Sequence, residues 1–146
     1  MDPASALGLI SCFTQLAEQT LQLTGKLYVY CSRVKNASAR CQGLRTELET
    51  ISEILRSLTH VLGNDLNVTT SVSKEILERS MAEFGILLLE LENRVQPAKT
   101  RGIRKFIWPL KELEIEKFRV RIERHEAIFN LALNVFQTLK PYLHLF

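Results

Sequence analysis

The sequence predicts an all-α domain, a bundle of four or five amphipathic helices. Three observations predict it. Apolar residues recur at alternating spacings of three and four along most of the chain, the signature of a helix with one buried face. Helix breakers are few: six Gly and four Pro in 146 residues, with the prolines at 3, 97, 109 and 141, where helices would begin or end. Hydrophobic residues make up 46% of the chain, enough to fill one core at this length. A single domain over 1–146 follows. No internal repeat appears beyond the shared heptad rhythm, and no low-complexity tract.

The first helix is expected from about Pro3 to Val34. Asp2 stands as its N-cap, and Pro3 suits the first helical position. Its stripe is Ala6, Leu9, Phe13, Leu16, Leu23 and Leu27, with Thr20 in the one gap and Ile10, Ala17, Leu21, Tyr28 and Cys31 beside it. Gly25 costs about 1 kcal/mol in a helix interior, so a bend or break is expected near Thr24-Gly25. The second helix carries the cleanest pattern: Cys41, Leu44, Leu48, Ile51, Leu55, Leu58 and Leu62. Such a seam asks for a neighbour at a shallow crossing angle. Gly63-Asn64 reads as its stop, and 64–72 as a polar loop.

Ser73 can cap a third helix, though Ile76 stands where a capping box would want Glu or Gln. Its face is Leu77, Phe84, Leu88, Leu91 and Val95, flanked by Met81 and Leu87. The run Ile86-Leu87-Leu88-Leu89 is apolar on more than one side, which suits a central helix or one that meets a partner. Residues 96–107 read as a loop made basic by Lys99, Arg101, Arg104 and Lys105. Trp108-Pro109 should open the last helix, whose stripe runs Ile115, Phe118, Ile122, His125, Phe129, Ala132, Phe136 and Leu139. Glu112, Glu114 and Glu116 crowd its start, where the helix dipole favours them. Pro141 is expected to end it. The apolar tail 142–146 reads as a cut from a longer protein.

Composition narrows the function classes. A net charge of +3 is mild, with no dense basic patch of the kind a nucleic-acid binder carries. Cys12, Cys31 and Cys41 have no ligand spacing and read as small apolar packing residues in a reducing compartment. The N-terminus lacks a secretory pattern, and the apolar runs fall short of a membrane span, which suggests an intracellular protein. The sequons at Asn36 and Asn67 would then carry no sugar.

The chemistry of sites is sparse. P-loop, GxGxxG, HExxH and GxSxG motifs are all missing from the sequence. A di-iron bundle needs Glu three residues before His; Ser57, Ile122 and Pro141 precede His60, His125 and His144 instead. His125 on an apolar stripe reads as a satisfied core or boundary residue, and His60 as a cation near a helix C-terminus. No catalytic, metal or cofactor residue is expected, and an enzyme is not. Two features remain. The basic loop with Lys99, Arg101, Arg104 and Lys105 is either a solvated connection or a contact for anionic lipid headgroups. RNA binding fits less well, because little aromatic interleaving is there for stacking. Trp108 beside it is either a core anchor or an interface residue. The start of the first helix, with Leu7, Leu9, Ile10 and Phe13, carries no charge from Pro3 until Glu18. It reads either as a packed bundle helix or as a segment able to enter a bilayer, with Ala4, Ser5, Ala6, Gly8 and Ser11 allowing close helix approach.

Several segments resemble a known family. They are Met1-Asp2-Pro3-Ala-Ser-Ala-Leu at the start and Val34-Lys35-Asn36-Ala37 before a helix with Leu44-Arg-Thr-Glu-Leu48 and Leu55-Arg-Ser-Leu58. Ile107-Trp108-Pro109-Leu-Lys-Glu, Ile122-Glu-Arg-His-Glu126 and Leu131-Ala-Leu133 follow in the same order. Together they resemble the HeLo-like N-terminal domains of fungal NOD-like receptors, over nearly the whole chain. The resemblance implies a helical bundle ahead of a nucleotide-binding core and a repeat array. It also implies a relation to HeLo and necroptotic executioner domains, which oligomerise, release an N-terminal helix and permeabilise the plasma membrane in regulated cell death. That role would fall here on Leu7, Leu9, Ile10 and Phe13. Cytoplasmic residence with relocation to the plasma membrane is implied with it, as are self-association and contact with anionic lipids. The alternatives are an adaptor that binds partner helices without lipid, and a structural cap on a larger protein. Under the membrane reading, Leu9→Glu or Phe13→Glu should abolish leakage.

Overall fold

The computed structural model describes residues 3–33, 39–64, 74–95, 98–100, 103–105 and 110–143. Four helices make the fold: α1 (Pro3–Arg33), α2 (Ala39–Asn64), α3 (Lys74–Val95) and α4 (Glu112–Leu143). Between α3 and α4 lie two three-residue strands, β1 (Ala98–Thr100) and β2 (Ile103–Lys105). The class is all-α, a helical bundle, as the periodicity predicts.

The packing closes a ring. α1 packs on α2 and on α3, and α4 packs on the same two helices, so α1 faces α4 across one diagonal and α2 faces α3 across the other. Side-chain pairs set the directions. Lys26 meets Glu92 near the C-terminal ends of α1 and α3, so those two run parallel. Arg94 near the end of α3 pairs with Glu114 at the start of α4, so those two are antiparallel. The end of α1 meets the start of α2 where Cys31 and Cys41 touch. The chain thus runs up, down, up and down, and the step from α2 to α3 crosses the bundle diagonal.

The core is the set of stripes read from the sequence. Cys41 is 1% exposed, and Leu44, Leu48, Ile51, Leu55, Leu58 and Leu62 are 0%. Leu9, Phe13, Leu16, Thr20, Leu23 and Leu27 of α1 are buried. So are Leu77, Met81, Phe84, Leu87, Leu88, Leu91 and Val95 of α3. From α4 come Ile115, Phe118, Ile122, His125, Phe129, Ala132 and Phe136. Phe129 sits at the centre, edge-on to Phe13 at 6.0 Å and to Phe84 at 5.8 Å. These three rings, from α1, α3 and α4, lock the diagonal together.

Several local expectations are corrected. No break occurs at Gly25: α1 is continuous, and Gly25 lies on its exposed side with nothing within 4 Å of where a Cβ would stand. The buried polar groups before it are satisfied, Thr20 Oγ1 donating to Leu16 O at 2.6 Å and Thr24 Oγ1 to Thr20 O at 2.9 Å. Burial of Leu23 and Leu27 on either side outweighs the ~1 kcal/mol that glycine costs. Tyr28, read as part of the inner face, is 57% exposed, and Tyr30 is buried instead. The connection 96–107 is not wholly loop, since β1 and β2 pair antiparallel within it.

α4 begins at Glu112 rather than at Pro109. Ile115 N donates to Lys111 O at 3.0 Å, and Glu114 Oε1 accepts from Lys111 N at 3.5 Å. That is half of a capping box, with Lys111 as the cap. α4 also runs past Pro141 to Leu143. Asp2, Ser73, Trp108 and Pro109 lie outside the described residues.

Candidate functional site

The first candidate is the N-terminal part of α1. Its amphipathic pattern sends one face into the bundle. Leu9 is 3% exposed and Phe13 0%, and Ile10 packs half-buried against the core. Leu7 alone of the four faces solvent, at 58%. The outer face before Glu18 is built from Leu7, Gly8, Ser11, Thr14 and Gln15, all exposed and none charged. Thr14 turns its hydroxyl back onto Ile10 O at 2.8 Å, which hides part of the little polarity present. Among the described residues, no helix is long and apolar enough to cross a membrane.

The basic segment is the second candidate. The register of β1 and β2 sets Lys99 opposite Arg104, and Lys105 opposite Ala98. The hairpin therefore concentrates three cationic residues on two short strands. Arg101 lies outside the described residues.

Three polar constellations in the bundle carried no signal in the sequence, because their members lie far apart along it. Ser80 Oγ and His125 Nδ1 are 2.9 Å apart across α3 and α4, and both residues are buried. Phe84 and Phe129 flank the imidazole at 5.6 and 6.3 Å. Burial holds the His125 pKa below its ordinary value. A serine nucleophile needs access to substrate. Ser80 is 3% exposed, so this pair is a core hydrogen bond. His125 also lines a cleft of about 180 Å³ with Glu83, Ile86, Arg121 and Arg124.

The second constellation joins α2 to α4. Glu126 lies beside the carboxyl of Glu47, and its Oε2 is buried without a hydrogen-bond partner. Burial and the carboxyls of Glu47 and Glu123 push the Glu126 carboxyl up to about 7. Two neighbouring carboxyls repel when both are ionised, which favours a proton on one of them. In the third constellation, the buried Tyr30 hydroxyl accepts from the backbone N–H of Leu110, tying the end of α1 to the approach to α4. Among the described residues, no group of three or more His, Cys, Asp or Glu could hold a metal ion.

No protein-family model matches the chain, and neither a curated protein nor a solved structure does.

Proposed function

We propose that this domain is a membrane-active signalling module that self-associates, frees the N-terminal part of α1 and permeabilises an anionic bilayer, as the regulated cell-death domains it resembles do. The supporting observation is the uncharged outer face of α1 from Leu7 to Gln15, backed by the buried Leu9 and Phe13. A bundle helix needs a polar exterior but is under no constraint to leave it uncharged. A helix that moves into lipid is, because each charge taken to the bilayer centre costs about 3 kcal/mol. Release also explains why the switch stays off in a monomer. Withdrawing Leu9, Phe13 and Leu16 into water costs about 6 kcal/mol, which leaves fewer than about one molecule in ten thousand open. Only a new apolar environment, from lipid or from other copies of the domain, offsets that cost.

A second reading has its own observation. Ile76, Ile86 and Leu89 on α3 are 58%, 56% and 60% exposed, as an adaptor that binds partner helices would require. The same structure changes the choice of test. Leu9→Glu and Phe13→Glu would bury a charge in the core and unfold the bundle, so lost leakage in them would say nothing about lipid. Leu7→Glu places the charge on the exposed face and leaves the fold intact. Dye release from phosphatidylserine vesicles by the forcibly oligomerised domain should fall at least tenfold in Leu7→Glu. Replacing Lys99, Arg101, Arg104 and Lys105 by Ala should weaken vesicle binding and flatten its salt dependence. Undiminished leakage from Leu7→Glu would remove α1 from the mechanism. No leakage from the folded wild type would favour the adaptor.

A further inference from the structure

We propose that Cys31 and Cys41 form a reversible disulfide that staples the end of α1 to the start of α2. The two sulfurs lie 2.7 Å apart, well inside the distance at which unbonded sulfurs normally rest. A bond needs them at about 2.05 Å, only a few tenths of an ångström closer than they stand. The cysteines are ten residues apart in sequence and belong to adjacent helix ends, so the bond would close a short loop between two rigid elements. Cys12, half-buried on the opposite half of α1, serves as an internal control.

A small-molecule disulfide such as oxidised glutathione is the oxidant. Cys31 is 8% exposed and Cys41 1%, so Cys31 reacts first. Its thiolate attacks one glutathione sulfur, the glutathione S–S bond breaks, and one glutathione thiol leaves with the proton that Cys31 lost. The Cys41 thiolate then attacks the Cys31 sulfur and displaces the second glutathione thiol. Two protein thiols are oxidised and one disulfide is reduced to two thiols. Burial raises the pKa of the Cys41 thiol, which slows its attack in the second step.

The staple sits at the far end of α1 from Leu7 and leaves the N-terminal part of the helix untethered. It stands independently of the membrane reading. The test is incubation of the purified domain with oxidised glutathione, followed by alkylation, proteolysis without reductant and mass spectrometry. A loss of about 2 Da should appear, with the Cys31 and Cys41 peptides joined and Cys12 alkylated. The Tm should rise by about 5–10 °C and return on adding dithiothreitol. Cys41→Ser, checked for helical circular dichroism, should stop at the glutathione adduct on Cys31. A persistent adduct on Cys31 in the folded wild type would overturn the proposal. So would oxidation of Cys12 while Cys31 and Cys41 remain free thiols.

Discussion

Glu126→Gln should stabilise the bundle at high pH and leave it nearly unchanged at low pH. In the folded protein the Glu126 carboxyl is pushed up to about 7, against an ordinary value of 4.5. The folded state therefore holds a proton that the unfolded chain has released between those two values. By linkage, that proton's contribution is fully present below about 4.5 and is lost as the pH rises through 7. The whole displacement corresponds to about 3 kcal/mol, and solvent around this half-exposed side chain reduces it to about 1–2 kcal/mol. Gln keeps the shape and removes the titrating carboxyl. At pH 8.5 the variant should melt about 2–8 °C above the wild type, and at pH 4.5 the two should coincide.

His125 works in the opposite direction. Its folded pKa is lowered, so stability is lost as the pH falls and the unfolded imidazole takes up a proton. The difference between variant and wild type cancels that contribution, provided the two are compared at each pH. Thermal melts followed by circular dichroism from pH 4.5 to 8.5 make the measurement. A gap that is constant across the range would refute the raised Glu126 carboxyl.

Two further outcomes are expected. Tyr30→Phe should cost about 1–3 kcal/mol in urea denaturation, because the N–H of the buried Leu110 loses its acceptor; a loss below 0.5 kcal/mol would mean that water replaces the hydroxyl. Gly25→Ala should stabilise by about 1 kcal/mol, since α1 is helical there and nothing lies within 4 Å of the added methyl; destabilisation would mean that α1 bends at this point in solution.

The buried stripes were legible because helical periodicity is a local property. Each residue of the α2 seam reaches the core through its own spacing, whatever the neighbouring helix turns out to be. Errors came where burial outweighed a local cost. Gly25 did not break α1 because Leu23 and Leu27 hold it in the core. Pro141 did not stop α4, which runs on to Leu143. Of the proposed membrane segment, its uncharged character was readable from the sequence, but not that Leu9 and Phe13 are sealed while Leu7 is free. That depends on where the neighbouring helices lie.

Composition and periodicity alone determined that this chain makes amphipathic helices, most of the residues that form their apolar faces, and that the fold is all-α. Tertiary structure decided everything that joins distant segments: the ring order of the helices, the Cys31–Cys41 contact, the Ser80–His125 bond, the Glu47–Glu126 pair and the Tyr30 tie to Leu110. The reason is physical. An apolar stripe says only that a helix must be covered, since the hydrophobic effect has no direction. Hydrogen bonds and paired carboxyls depend on distances of a few tenths of an ångström. Those distances exist only once the helices have chosen their neighbours.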